Sequence, residues 1–140
     1  MTTPTENPSG QPELVQGNLE SGVPVITLTY GRDTMSKYRG SDLSKLVVGE
    51  YEKLSASKDN KSKSLVVNFH ADFAASPVMR ALVDVYEAVH GRKGQLICSA
   101  FPKDYVRSLN LLGITNLDSF KLVRNKDDAL IVATGSLPKS

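Results

Sequence analysis

The sequence predicts an α/β fold: a small mixed β-sheet, opened by an N-terminal hairpin, with about four helices packed against it. Three observations carry this. Two strand-like segments flank the turn-forming pair Ser21-Gly22. Two short runs, Leu65–Phe69 and Gln95–Ala100, are apolar almost throughout, as befits central strands covered on both sides. Single segments with apolar residues at helical spacing separate and follow them, giving the order β-β-α-β-α-β-α-β-α.

Taken in order, residues 1–12 hold three of the seven prolines and no Val, Ile, Leu or Phe. Such a stretch buries too little to offset its ordering entropy, so a flexible tail is expected. Glu13 to Glu20 reads as a strand and Ser21-Gly22 as a hairpin tip. Val23 to Tyr30 alternates, with Ile26, Leu28 and Tyr30 on one face and Val25, Thr27 and Thr29 on the other. Gly31 to Gly40 is irregular. Ser41 is a suitable helix cap, and Asp42 suits the positive end of the helix it would start. Leu43, Leu46, Val47, Tyr51 and Leu54 form that helix's apolar face. Ser55 to Ser64 is polar and carries three lysines. With no aromatic residue among them, it reads as a solvated loop rather than a phosphate-binding patch.

The next helix is the clearest. Ser76 can cap it, and Pro77 suits a first turn in which no backbone N–H is needed. Val78, Leu82, Val85, Tyr86 and Val89 line one face. His90 sits at the negative end, and Gly91 is expected to close it in the left-handed conformation. Lys103 to Leu112 reads as a helix presenting Tyr105, Val106, Leu109 and Leu112, with Gly113 as its stop. Phe120 to Val123 is a short strand. Asn125 caps a last helix with Asp127 and Asp128 in its first turn and Ala129, Leu130 and Ala133 inward. Residues 13–134 form the expected domain, and 135–140 a second tail.

Length and charge narrow the function classes. At 140 residues the chain suits one domain, burying roughly 68–70% of its unfolded surface without a metal or disulfide staple. Its one cysteine, Cys98, excludes an intrachain disulfide and a cysteine-rich zinc site. Seventeen basic against fifteen acidic residues are too balanced to point to nucleic acid or an anionic membrane. The N-terminal residues lack the basic and apolar regions of a secretory signal, and no apolar run approaches the ~18 residues of a membrane span. A cytoplasmic protein without membrane insertion is expected.

Candidate chemistry is sparse. His70, Asp72 and Ser76 are the residue types of a hydrolase triad, but they crowd one strand-to-helix turn and no G-x-S-x-G elbow surrounds Ser76. His70, His90, Asp72 and Asp84 match no metal-ligand spacing. Cys98 lies in an apolar strand and reads as a core residue. There is no glycine-rich phosphate loop, so no nucleotide cofactor is expected, nor any other. Ser76 carries two compatible readings. It is a structural cap worth ~1 kcal/mol. It is also a phosphoacceptor at a helix start, where phosphate would add about −1.5 to −2 charges and change the surface while leaving the fold intact.

One stretch goes further. Phe73-Ala74-Ala75-Ser76-Pro77-Val78-Met79-Arg80-Ala81-Leu82 resembles the signature of the STAS domain, the family of anti-sigma-factor antagonists. That family's pattern is a phenylalanine, an apolar residue, Asp-Ser-Ser-Gly, and soon Ala-Leu. Ser76 falls on the first serine, and Asn68 near a position the family fills with aspartate. Gly91 to Ile97, Ser108 to Ile114 and Asp127-Asp128-Ala129-Leu130 resemble further family segments in the same order. The resemblance covers roughly residues 13–133. Ala75 stands in place of the aspartate, Pro77 of the second serine and Val78 of the glycine.

The resemblance implies a STAS-like fold and a bacterial regulatory module with no enzymatic activity of its own. Its partner would be an anti-sigma factor or serine kinase, and Ser76 its phosphorylation site. The implied contact surface is the turn from His70 through Asp72, Ala75 and Ser76 to Pro77, with Arg80, Asp84 and Glu87 on the following helix. A monomer or weak homodimer is expected. Two alternatives stay open: a small ligand-binding protein or enzyme with its site at the strand-to-helix turns, and an accessory subunit of a stress-signalling or lipid-transport complex. Convergent polar groups in a concave pocket favour a ligand, and a shallow exposed helix face favours docking.

Overall fold

A computed structural model describes residues 14–31, 42–71, 73, 76–111, 113, 117 and 119–135. The chain opens with β1 (Val15–Glu20) and β2 (Val23–Thr29), paired antiparallel with Val15 opposite Leu28 and Glu20 opposite Val23. Ser21 and Gly22 both take positive φ, 54° and 79°, the geometry of a two-residue turn that matches strand twist. Then come α1 (Asp42–Ser55), β3 (Leu65–His70), α2 (Ser76–Gly91) and β4 (Leu96–Ser99). A 3₁₀ turn (Lys103–Tyr105) runs into α3 (Val106–Leu111), and β5 (Phe120–Val123) and α4 (Lys126–Gly135) follow. The five strands lie in the order β1-β2-β3-β4-β5, and all pairs after the hairpin are parallel. Among the described residues this is the small mixed sheet with about four packed helices that the sequence predicts.

The sheet has a thick side and a thin one. Ile26, Leu28, Leu65, Val67, Phe69, Leu96, Cys98 and Phe120 pack with α1, α2 and Leu109 of α3. On the other side, among the described residues, Val23, Val25, Val66 and Ile97 are buried with Ala129 and Ala133 of α4, and Val123, Leu130 and Val132 pack half-buried against them. Each fully buried Leu, Ile or Val contributes about 1.5–3 kcal/mol, so the thick side carries most of the stability.

Several local expectations are corrected. Leu46 is 47% exposed, whereas Ser44 is buried with Leu43, Val47, Tyr51 and Leu54. At 100° per residue Leu46 lies about 60° beyond one edge of the arc that Leu43, Val47, Tyr51 and Leu54 share, while Ser44 lies only about 20° beyond the other. Where one helix is expected from Lys103 onward, Lys103–Tyr105 is a 3₁₀ turn and Val106–Leu111 an α-helix with Leu109 as its buried residue. Gly91 stays helical, and the left-handed residue is Lys93 at φ 68°. Gly94 is the glycine that spacing requires, because a Cβ there would collide with the Lys63 carbonyl. Tyr86 and Leu130 do face inward as expected, half-buried and packed against the two core clusters.

Other expectations hold. Asn125 Oδ1 accepts from the Asp128 N–H at 2.8 Å, which caps α4. Gly113 is left-handed at φ 77°. The polar stretch after α1 is a hydrogen-bonded turn: Lys61 N–H donates to Gly22 O and Tyr51 Oη to Lys63 O. Ser41, Leu112 and the segments 1–12 and 136–140 lie outside the described residues; Gly135, assigned to the tail by sequence, is the last residue of α4.

Candidate functional site

The carboxyl ends of the parallel strands converge on the starts of α2 and α4. On the α4 side of the sheet, neighbouring strands are in register by rows. Val25, Val66 and Ile97 form one apolar row. Two residues further along each strand the row becomes Thr27, Asn68 and Ser99, and beyond it Thr29 lies beside His70. The sheet surface thus turns from apolar to polar at the same level in three strands.

Helix α4 covers the apolar row and begins over the polar one. There a cavity of about 420 Å³ is lined by Thr27, Asn68, His70, Asn125, Lys126 and Asp127, with Ala100 at its edge. Its floor is a hydrogen-bonded chain. Ser99, fully buried, donates from Oγ to Asn68 Oδ1 at 2.7 Å. Asn68 Nδ2 lies 3.2 Å from His70 Nε2. With the amide as donor, the imidazole accepts at Nε2 and carries its proton on Nδ1. Lys126 donates to Glu20 Oε2 at 3.0 Å and ties the start of α4 to the hairpin. Burial pushes the Glu20 carboxyl up, but the hydrogen bonds from Lys126 and Asn18 outweigh it and hold it below its ordinary value.

Helix α2 begins on the opposite side of β3. Ser76 is its first residue rather than the residue before it. The Ser76 hydroxyl is exposed and makes no capping bond among the described residues. Pro77 sits in the first turn, where its missing N–H breaks no helical bond. Val78, Ala81, Leu82, Val85 and Val89 face the sheet. Helical spacing then puts Ser76, Arg80 and Glu87 on the outward stripe, and all three are exposed.

The expected contact residues are therefore distributed over two surfaces. Ser76, Arg80 and Glu87 share one face, with Pro77 half-buried at its end. Asp84 turns toward α1, accepting from Ser44 Oγ at 2.5 Å and from Arg80 Nε at 3.4 Å. His70 belongs to the polar floor behind the sheet. Asp72 and Ala75 lie outside the described residues. His90 is at the far end of α2, stacked on Tyr86 with Nδ1 3.3 Å from Ser119 Oγ. His70, His90 and Asp84 are thus not brought together, and among the described residues no group of three His, Cys, Asp or Glu side chains is placed to hold a metal.

Sequence reasoning missed two features. The polar row had a signal: Thr27, Asn68 and Ser99 each interrupt an apolar strand near its carboxyl end. A second cavity, of about 370 Å³, lies at the ends of β4 and β5 and had none. It is assembled from Phe101, Lys103, Val106, Leu122, Val123 and Arg124, which no local pattern links. Cys98 is fully buried, and burial pushes its thiol up, which removes it as a nucleophile at neutral pH. None of the described helices is long and apolar enough to cross a membrane.

No protein-family model and no curated protein matches this chain. Among solved structures, it is similar to one described as "Putative enoyl-CoA hydratase/carnithine racemase from Magnetospirillum magneticum AMB-1", with 15% identity and a TM-score of 0.42. The similarity covers 64% of this chain and 38% of that one.

Proposed function

We propose that this chain is a regulatory docking module of the anti-sigma-factor-antagonist type, binding an anti-sigma factor or serine kinase through the outward face of α2. The observation that carries the reading is the uncommitted Ser76 hydroxyl at the start of that helix, in line with exposed Arg80 and Glu87. A phosphate on Ser76 would sit where first-turn N–H groups favour negative charge, so the fold would tolerate it. The partner would meet an added charge of about −1.5 to −2 in place of a neutral hydroxyl. Association on such a face rests on complementary shape and charge, with no bond made or broken in this chain. The STAS resemblance at residues 73–82 supplies the partner class.

The test is affinity purification of the tagged chain and of Ser76→Asp from native cells, with the melting temperature of each measured alongside. Recovery of an anti-sigma factor or serine kinase by the wild type and its loss from the variant, at similar melting temperatures, supports the reading. Recovery of neither protein by the wild type overturns it. Equal recovery by both forms leaves docking and removes the switch.

A further inference from the structure

The cavity at the ends of β4 and β5 is chemically one-sided. Phe101, Val106, Leu122 and Val123 supply an apolar wall, and the charged residues at the cavity, Lys103 and Arg124, are both cationic. Lys103 makes no ion pair among the described residues. Arg124 meets Asp128 only at 4.0 Å, with its side chain 91% exposed, so little holds the guanidinium away from the opening. Ala100, on the rim, takes φ 57°, a left-handed conformation that costs a residue bearing a Cβ. Backbone strain of this kind persists where surrounding structure enforces it, often at ligand sites. The cavity also lies beyond the carboxyl ends of parallel strands, where open α/β sheets place ligands.

We propose that this cavity binds a small organic anion: an apolar body carrying a carboxylate or phosphate at one end. The apolar part would displace water from Phe101, Val106 and Leu122, and the oxyanion would lie between Lys103 and Arg124. At about 370 Å³ the space falls at the small end of ligand cavities, which suits a molecule of about ten heavy atoms. The site is independent of the docking face, since it includes neither Ser76, Arg80 nor Glu87.

The test is amide-shift NMR on the full chain with three probes: octanoate, octylammonium and acetate. Octanoate is expected to shift the amides of Phe101, Val106, Leu122 and Val123 saturably, and more strongly than either other probe. Lys103→Glu combined with Arg124→Glu should weaken octanoate by about fivefold or more and favour octylammonium. Lys103→Gln with Arg124→Gln carries the same comparison should the charge reversal disturb folding. The proposal is overturned if octanoate produces no saturable shift at these amides, if octylammonium or acetate binds equally well, or if the folded variant keeps its octanoate affinity.

Discussion

Replacing Ser99 by alanine tests the polar floor directly. The hydroxyl is fully buried and donates to Asn68 Oδ1 at 2.7 Å, and Asn68 is itself only 7% exposed. Removing the donor leaves a buried carbonyl oxygen unsatisfied, at a cost of about 1–3 kcal/mol. Asn68→Leu strands the Ser99 hydroxyl in the same way. Removing both polar groups together leaves no orphan, so the double variant should lose less than the sum of the singles, by about 1–2 kcal/mol. At ~4 °C per kcal/mol for a domain of this size, Ser99→Ala should melt about 4–12 °C lower. The chain has no tryptophan, so urea unfolding followed by far-UV circular dichroism is the suitable assay. Additive losses, with the double variant equal to the sum within about 0.5 kcal/mol, would refute the coupling.

Three further outcomes are expected. The Cys98 thiol should resist a disulfide reagent in the native protein and react only once denatured; rapid native labelling would place it outside the core. Glu20 is held below its ordinary value of 4.5, so its contribution to stability is present above that pH and lost as pH falls through the lower folded value. Lys126→Met should therefore flatten the acid side of the stability–pH curve, and an unchanged slope would show that the ion pair does not set it. Gly94→Ala should destabilise by about 2 kcal/mol or more, because the new Cβ would meet the Lys63 backbone; a variant with an unaltered melting curve would contradict that close approach.

Much of the fold was legible because strands and helices here obey their own periods. The turn at Ser21-Gly22, the buried strand Leu65–Phe69 and the cap at Asn125 each depend on residues within a few positions of one another. Errors arose where the outcome depended on distant neighbours. Leu46 reads as inward because it is apolar, although Ser44 lies nearer the buried arc of the helix, and Asp84, forty positions away, gives the Ser44 hydroxyl its partner. Gly91 looked like the helix stop, but the close approach of Lys63 places the demand for glycine at Gly94. The candidate site was legible only in part for the same reason. Ser76, Arg80 and Glu87 share a helix, so spacing alone predicts their common face. His70 is close to Ser76 in the chain, yet strand alternation turns it to the other surface, toward Asn68.

The two-alanine seat of α4 has a consequence for how the molecule opens. Ala129 and Ala133 let the helix lie close to the sheet, but they supply little apolar area, and Ile131 is 68% exposed. Leu130 and Val132 pack half-buried beside them, and the Asn125 cap and the Lys126–Glu20 bridge also fasten the helix. Local unfolding begins where buried apolar contact is least. Deuterium should therefore enter the amides of α4 before those of α2, and each such excursion would briefly bare Val25, Val66 and Ile97 to solvent. On this expectation α4 is a detachable cover, and the surface it would expose is the apolar row of Val25, Val66 and Ile97.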